Sequence, residues 1–111
     1  MSIEVQVCMD DWFEGRFGLR YRKRSLFCTG NRAAAEGYCL PLGEVRRIVA
    51  NDDYSFCWSP LAPDLYEEWL KSDGEVHALL DSLQYRCDGL TEAIASGNEI
   101  MLVGDSFLAC L

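Results

Sequence analysis

Four arginines, at positions 16, 20, 22 and 24, are the residues of this chain best suited to holding a charged ligand. A guanidinium is a planar fork that matches carboxylates and phosphates. With Lys23 they place half of the ten basic side chains in nine residues of a chain whose net charge is −8. Read as a strand, the segment sends Arg16, Arg20, Arg22 and Arg24 to one face and Phe17, Leu19 and Tyr21 to the other, with side chains two apart separated by about 6.6–7 Å. That is a ladder of cations over an apolar face, fit to dock an acidic partner. The plainer reading is a sheet face neutralised by cross-strand pairs to Glu4, Glu14 and Glu44, each worth roughly 0–1 kcal/mol when exposed. Reversing Arg20 and Arg22 to Glu is then expected to leave folding nearly intact.

The nucleophiles are less organised. His77 is the sole histidine, on the flank of a predicted helix with Asp73 and Asp81 a turn away on either side, and reads as solvated. As a general base it needs Cys57 or Cys87 within hydrogen-bond reach. The six cysteines at 8, 28, 39, 57, 87 and 110 contain no C-x-x-C pair, so zinc-ribbon and thioredoxin spacings are absent. Val7-Cys8-Met9, Phe27-Cys28, Tyr38-Cys39-Leu40 and Phe56-Cys57-Trp58 set four of them beside large apolar residues, as expected of reduced, buried packing thiols. Asp10-Asp11 and Asp52-Asp53 fall in expected turns, where aspartate serves the backbone. No phosphate-loop, dinucleotide or nucleophile-elbow motif occurs, and no metal or cofactor is expected. Trp12, Tyr21, Trp58 and Trp69 are candidate walls for an apolar pocket in which an arginine would anchor an anionic ligand.

These residues must be positioned by short elements. Ser2 to Met9 alternates apolar and polar residues and predicts a strand. Gly15 turns the chain into the arginine strand, and Ser25 to Thr29 forms a third short strand. A helical turn at 32–37 is left open; Glu44 to Ala50 is read as a strand, and Tyr54 to Ser59 as another with three aromatics on one face. Beyond Pro63 the period becomes helical. Asp64 caps a helix carrying Leu65, Tyr66, Trp69 and Leu70. Ser72 to Glu75 has capping-box spacing and opens a second helix striped by Val76, Leu79, Leu80, Leu83 and Cys87. Thr91 to Ser96 makes a third. Glu99 to Val103 and Ser106 to Leu111 read as a hairpin around Gly104-Asp105, with Leu102, Val103, Phe107 and Leu108 buried. The expected fold is a single α+β domain over 1–111, a mainly antiparallel sheet of about five to seven strands against two or three helices in the C-terminal half.

Composition bounds the function. At 111 residues, 50% hydrophobic and 25% charged, the chain has globular values and the size of one domain. Its longest apolar runs are too short to cross a bilayer, and its start lacks the basic, apolar pattern of a signal peptide. A cytosolic location is expected. Residues 16–47 hold eight bases against two acids, whereas 48–111 hold twelve acids against two bases. The surface should be dipolar, and the acidic total argues against general nucleic-acid binding. The expectation is a small acidic protein-binding module of inhibitor, immunity or adaptor type, with a two-fold homodimer as one form of association. Its rival is a small-molecule-binding domain or small enzyme built on the aromatic pocket.

Overall fold

Ser2 decides how the chain begins. In a computed structural model that describes residues 1–33, 35, 47–50, 53–104 and 107–110, its side-chain oxygen accepts the Val5 N–H at 3.2 Å. This N-cap opens α1 (Ile3–Phe17), so the segment predicted as a strand is a helix. The alternation over 3–9 is the first part of a longer helical stripe: Val5, Cys8, Met9, Trp12, Phe13 and Phe17 all face the core, at the i, i+3, i+4 spacing of one helix face. Ile3, at 81% exposure, and Val7 fall on the solvent side. Gly15 lies inside the helix. The stop is Gly18, whose φ of 84° closes the last turn through its N–H to the Glu14 carbonyl, a conformation that favours glycine.

Asp10, expected in a solvated turn, is buried. Its carboxylate accepts the backbone N–H groups of Arg22 at 2.7 Å and Lys23 at 3.0 Å. Those donors belong to the first turn of α2 (Tyr21–Arg24), where no intrahelical acceptor exists. A carboxylate from α1 thus caps α2 from outside, and the arginine segment coils instead of extending.

The strands are β1 (Leu26–Cys28), β2 (Arg47–Ala50) and β3 (Tyr54–Trp58), each within a segment predicted as one. Then come α3 (Leu65–Lys71), capped by Asp64 through the Glu67 N–H, α4 (Val76–Ser82) and α5 (Leu90–Ser96). Ser72 does not cap α4; its hydroxyl donates to the Trp69 carbonyl at the end of α3. Leu83 ends α4 and Gln84 takes a positive φ of 58°, so Cys87 leaves the helical stripe on which it was expected. The last strands are β4 (Ile100–Gly104) and β5 (Phe107–Cys110).

They do not form the expected hairpin. β4 is flanked on both sides, with Leu102 opposite Leu26 of β1 and Phe56 of β3, which leaves it no edge for β5. β5 pairs with β2 instead, Ala50 opposite Phe107. Tyr54 lies four positions after Ala50 but Phe107 only three after Gly104, so the two ladders are out of step by one residue. The described residues therefore hold five helices, a three-stranded antiparallel sheet ordered β1-β4-β3 and a separate two-stranded ladder. This is a small α+β domain, and the expectation of about five to seven strands in one sheet fails because residues 3–17 and 21–24 are helical.

One face of the sheet, with Cys57, Met101 and Val103, packs on Met9, Phe13, Tyr21, Leu80 and Tyr85. Phe13 meets Tyr85 edge-on at 5.0 Å and Tyr21 at 6.1 Å, geometry that aromatic pairs prefer. The Trp12 indole N–H donates to Asp81 at 2.9 Å and ties α1 to α4. On the other face, Trp58 and Ile100 pack on Ala93 of α5. Among the described residues no helix is long and apolar enough to cross a membrane. Val103 is buried and Leu102 half-buried. The side chains of Phe107, Leu108, Cys39, Cys110 and Glu44, residues 34, 36 and 37 of the open helical turn and 44–46 of the segment read as a strand lie outside the described residues.

Candidate functional site

The four arginines do not share a face. Arg22 turns inward: its guanidinium meets Glu99 at 3.2 Å and Gln6 at 3.3 Å and lies 4.8 Å from the Phe27 ring centroid. The pair's side chains are only 7% and 18% exposed. Burial pushes the Glu99 carboxyl up, against the opposing pull of Arg22. Arg20 pairs with Asp11 at 3.0 Å and Glu14 at 3.4 Å. Arg16 is exposed and lies over the rings of Trp12 and Phe17, while Arg24 is exposed at the end of α2. The expected ladder is divided among an internal strut, a surface ion pair, a ring contact and one exposed cation. Reversing Arg22 would set a second carboxylate against Glu99, so the expectation of a harmless substitution is overturned there.

The four aromatics do not converge on a pocket either. Tyr21 is buried and Trp12 and Trp69 are partly buried in one cluster, whereas Trp58 belongs to the other. The Trp58 indole N–H donates to the Asp88 carbonyl at 2.7 Å. Two depressions found among the described residues hold about 180 and 240 Å³, and none of these aromatics lines them. Small-molecule pockets usually enclose about 300–1,000 Å³. His77 is exposed on α4.

Chemistry is concentrated where the chain after α4 returns to β3. Trp58 and Arg86 exchange two backbone hydrogen bonds, of 3.0 and 2.9 Å, as an antiparallel bridge. The next facing pair in that register is Cys57 with Cys87. Across that bridge the two thiols are hydrogen-bonding neighbours. Cys57 is fully buried and Cys87 is exposed, so not every thiol is buried as expected. Tyr21 completes the cluster, with its hydroxyl 3.8 Å from the Cys87 sulfur. The Cys87 thiol donates to that hydroxyl, which donates to the Phe56 carbonyl at 3.5 Å. Hydrogen bonding with the Cys57 thiol, and then with the Tyr21 hydroxyl, favours the charged form and brings the Cys87 thiol down from 9.0 to about 7, against partial desolvation and the Asp88 carboxylate. Burial, first among the causes, pushes Cys57 and Tyr21 up. At neutral pH about half of the exposed Cys87 is thus thiolate, beside a second thiol that keeps its proton.

The sequence alone offers Cys57 and Cys87 as alternative partners for His77, Cys57 also as a packing thiol and Cys87 on a helical stripe, and does not join them. Thirty positions separate them, and the register that joins them passes through a single bridge without a periodic signature. Fold and cluster define a small α+β domain with a two-thiol site beneath one end of its sheet. No protein-family model matches the chain, and neither does any curated protein or solved structure.

Proposed function

We propose that the chain is a small acidic cytosolic module that binds another protein through the open edge of its sheet. The observation that carries this reading is β1. It pairs with β4 on one side and with no strand on the other among the described residues, yet Leu26 and Phe27 are 40% and 49% exposed. An exposed apolar edge is a template for an extended segment of a partner, with main-chain hydrogen bonds giving affinity and alternate side chains giving specificity. The exposed Lys23 and Arg24 immediately precede this edge. They favour a partner strand that carries acidic as well as apolar side chains, because complementary charge speeds encounter and fixes register. The free thiols of Cys8, Cys28, Cys57 and Cys87 support a reducing compartment. The two depressions, of about 180 and 240 Å³, lend the rival small-molecule reading little support.

Phe27→Asp and the pair Lys23→Glu/Arg24→Glu test the proposal. The charge pair alters exposed positions and should shift the melting midpoint little, whereas Phe27→Asp also takes the ring away from Arg22 and should lower it. Each should deplete the proteins that parent, immobilised in equal amount, retains from its native host, with the charge pair acting most at low salt. Sedimentation of parent and variants reads self-association in the same way. Identical retained sets and identical masses for parent and both variants would overturn the edge as a binding surface.

A further inference from the structure

We propose that Cys57 and Cys87 are a reversible dithiol–disulfide couple in which Cys87 takes the oxidant and Cys57 resolves the product. The geometry meets both requirements. Cys57 and Cys87 flank the Trp58–Arg86 bridge on the same side, and their thiols are hydrogen-bonding neighbours, the proximity that a disulfide requires. Exposure divides the roles, since a hydroperoxide in solvent reaches exposed Cys87 and cannot reach fully buried Cys57.

The chemistry balances with a hydroperoxide as the only added reagent. The Cys87 thiolate attacks the distal peroxide oxygen; an S–O bond forms, the O–O bond breaks and the alkoxide or hydroxide leaves and takes up a proton. The Cys57 sulfur then attacks the Cys87 sulfenic sulfur. An S–S bond forms, the S–O bond breaks, and water leaves with the Cys57 proton. Two thiols lose two electrons and the peroxide gains them. In the protonated state the Cys87 thiol donates to the Tyr21 hydroxyl, which donates to the Phe56 carbonyl. Once Cys87 has lost its proton, the hydroxyl turns to donate to the thiolate and keeps it available near neutral pH.

The rate effect is moderate. At pH 7, a thiol at about 7 holds roughly 50 times more thiolate than one at 9.0, but its nucleophilicity is roughly tenfold lower, so the net gain is about fivefold. The reduced full chain is treated with graded hydrogen peroxide at pH 7, blocked with a maleimide and mapped by peptide mass. The expected first product is a Cys57–Cys87 crosslink, formed while Cys8 and Cys28 still take the maleimide. In Cys57→Ala, dimedone should instead capture a sulfenic acid on Cys87. In Cys87→Ser, Cys57 should stay reduced. Tyr21→Phe keeps the ring in the core, and it should move the midpoint of Cys87 alkylation to higher pH and slow its oxidation at pH 7. Should Cys57→Ala fail to fold, the map of the unsubstituted protein and the Tyr21→Phe profile carry the decision. Oxidation of Cys8 or Cys28 before Cys57 and Cys87 would overturn the couple. An alkylation profile unchanged in Tyr21→Phe would overturn the part given to the tyrosine.

Discussion

Arg22 gives up solvent to hold three parts of the chain together: Gln6 of α1, Phe27 of β1 and Glu99 just before β4. Removing one partner of a buried ion pair typically costs about 3–5 kcal/mol, because the other charge stays buried alone. Arg22→Met should therefore lower stability by about 3 kcal/mol, read from urea midpoints, and adding Glu99→Gln should recover part of the loss. A loss no larger than the 0–1 kcal/mol of an exposed pair (roughly the surface value) would show that solvent reaches the contact. Cys87 makes a different demand. The thiol releases its proton near 9.0 in the unfolded chain and near 7 in the fold. Between those values the unfolded state binds more protons, so the reduced protein should gain stability as pH rises from 7 to 9. Above 9.0 the raised thiol of Cys57 works the other way, since the fold then keeps a proton that the unfolded chain releases. Cys87→Ser should flatten the rise; equal gains in parent and variant would refute the lowered thiol.

Among the elements, α2 depends most on a distant group. It has four residues and no side-chain cap of its own, and the carboxylate of Asp10 does that work. Losing an N-cap costs about 0.5–2 kcal/mol. Asp10→Ala should cost at least this and deprotect the Arg22 and Lys23 amides in hydrogen exchange. Asn at position 10 keeps one acceptor and should fall between. If both amides keep their protection in Asp10→Ala, the helix holds by other means. The same dependence explains what could be read in advance. The strand segments around β1, β2 and β3 and the helices after Pro63 were legible because turn residues, caps and periodicity are local. The arginine segment was not, since alternation of Phe17, Leu19 and Tyr21 with arginines says strand, and only a carboxylate six positions before Arg16 makes it coil. Residues 3–9 fit both periods. Extending the window to Phe13 and Phe17 exposes the helical one, and Ser2 was its available signal. The thiol cluster had no local signal at all.

At the scale of the whole molecule, the order of β1-β4-β3 has a consequence for synthesis on the ribosome. Within that sheet β1 and β3 touch only through β4, which lies seventy-two positions beyond the end of β1. Translation at about 5–20 residues per second makes β1 wait roughly 4–14 s for its partner, whereas loop closure takes well under a millisecond once both are present (tens of nanoseconds for a ten-residue loop). Polymerisation therefore times the sheet, and Leu26, Phe27 and Trp58 emerge before anything can pair with them. Arrested nascent chains from which Ile100 to Gly104 have not emerged should be cut readily at β1 by a pulse of protease. Protection should appear in one step once Gly104 has cleared the exit, and protection in earlier-arrested chains would mean that β1 finds a different first partner. During that interval the nascent chain is a substrate for chaperones that grip apolar extended segments, and a pause in translation shortly before residue 100 would lengthen their hold.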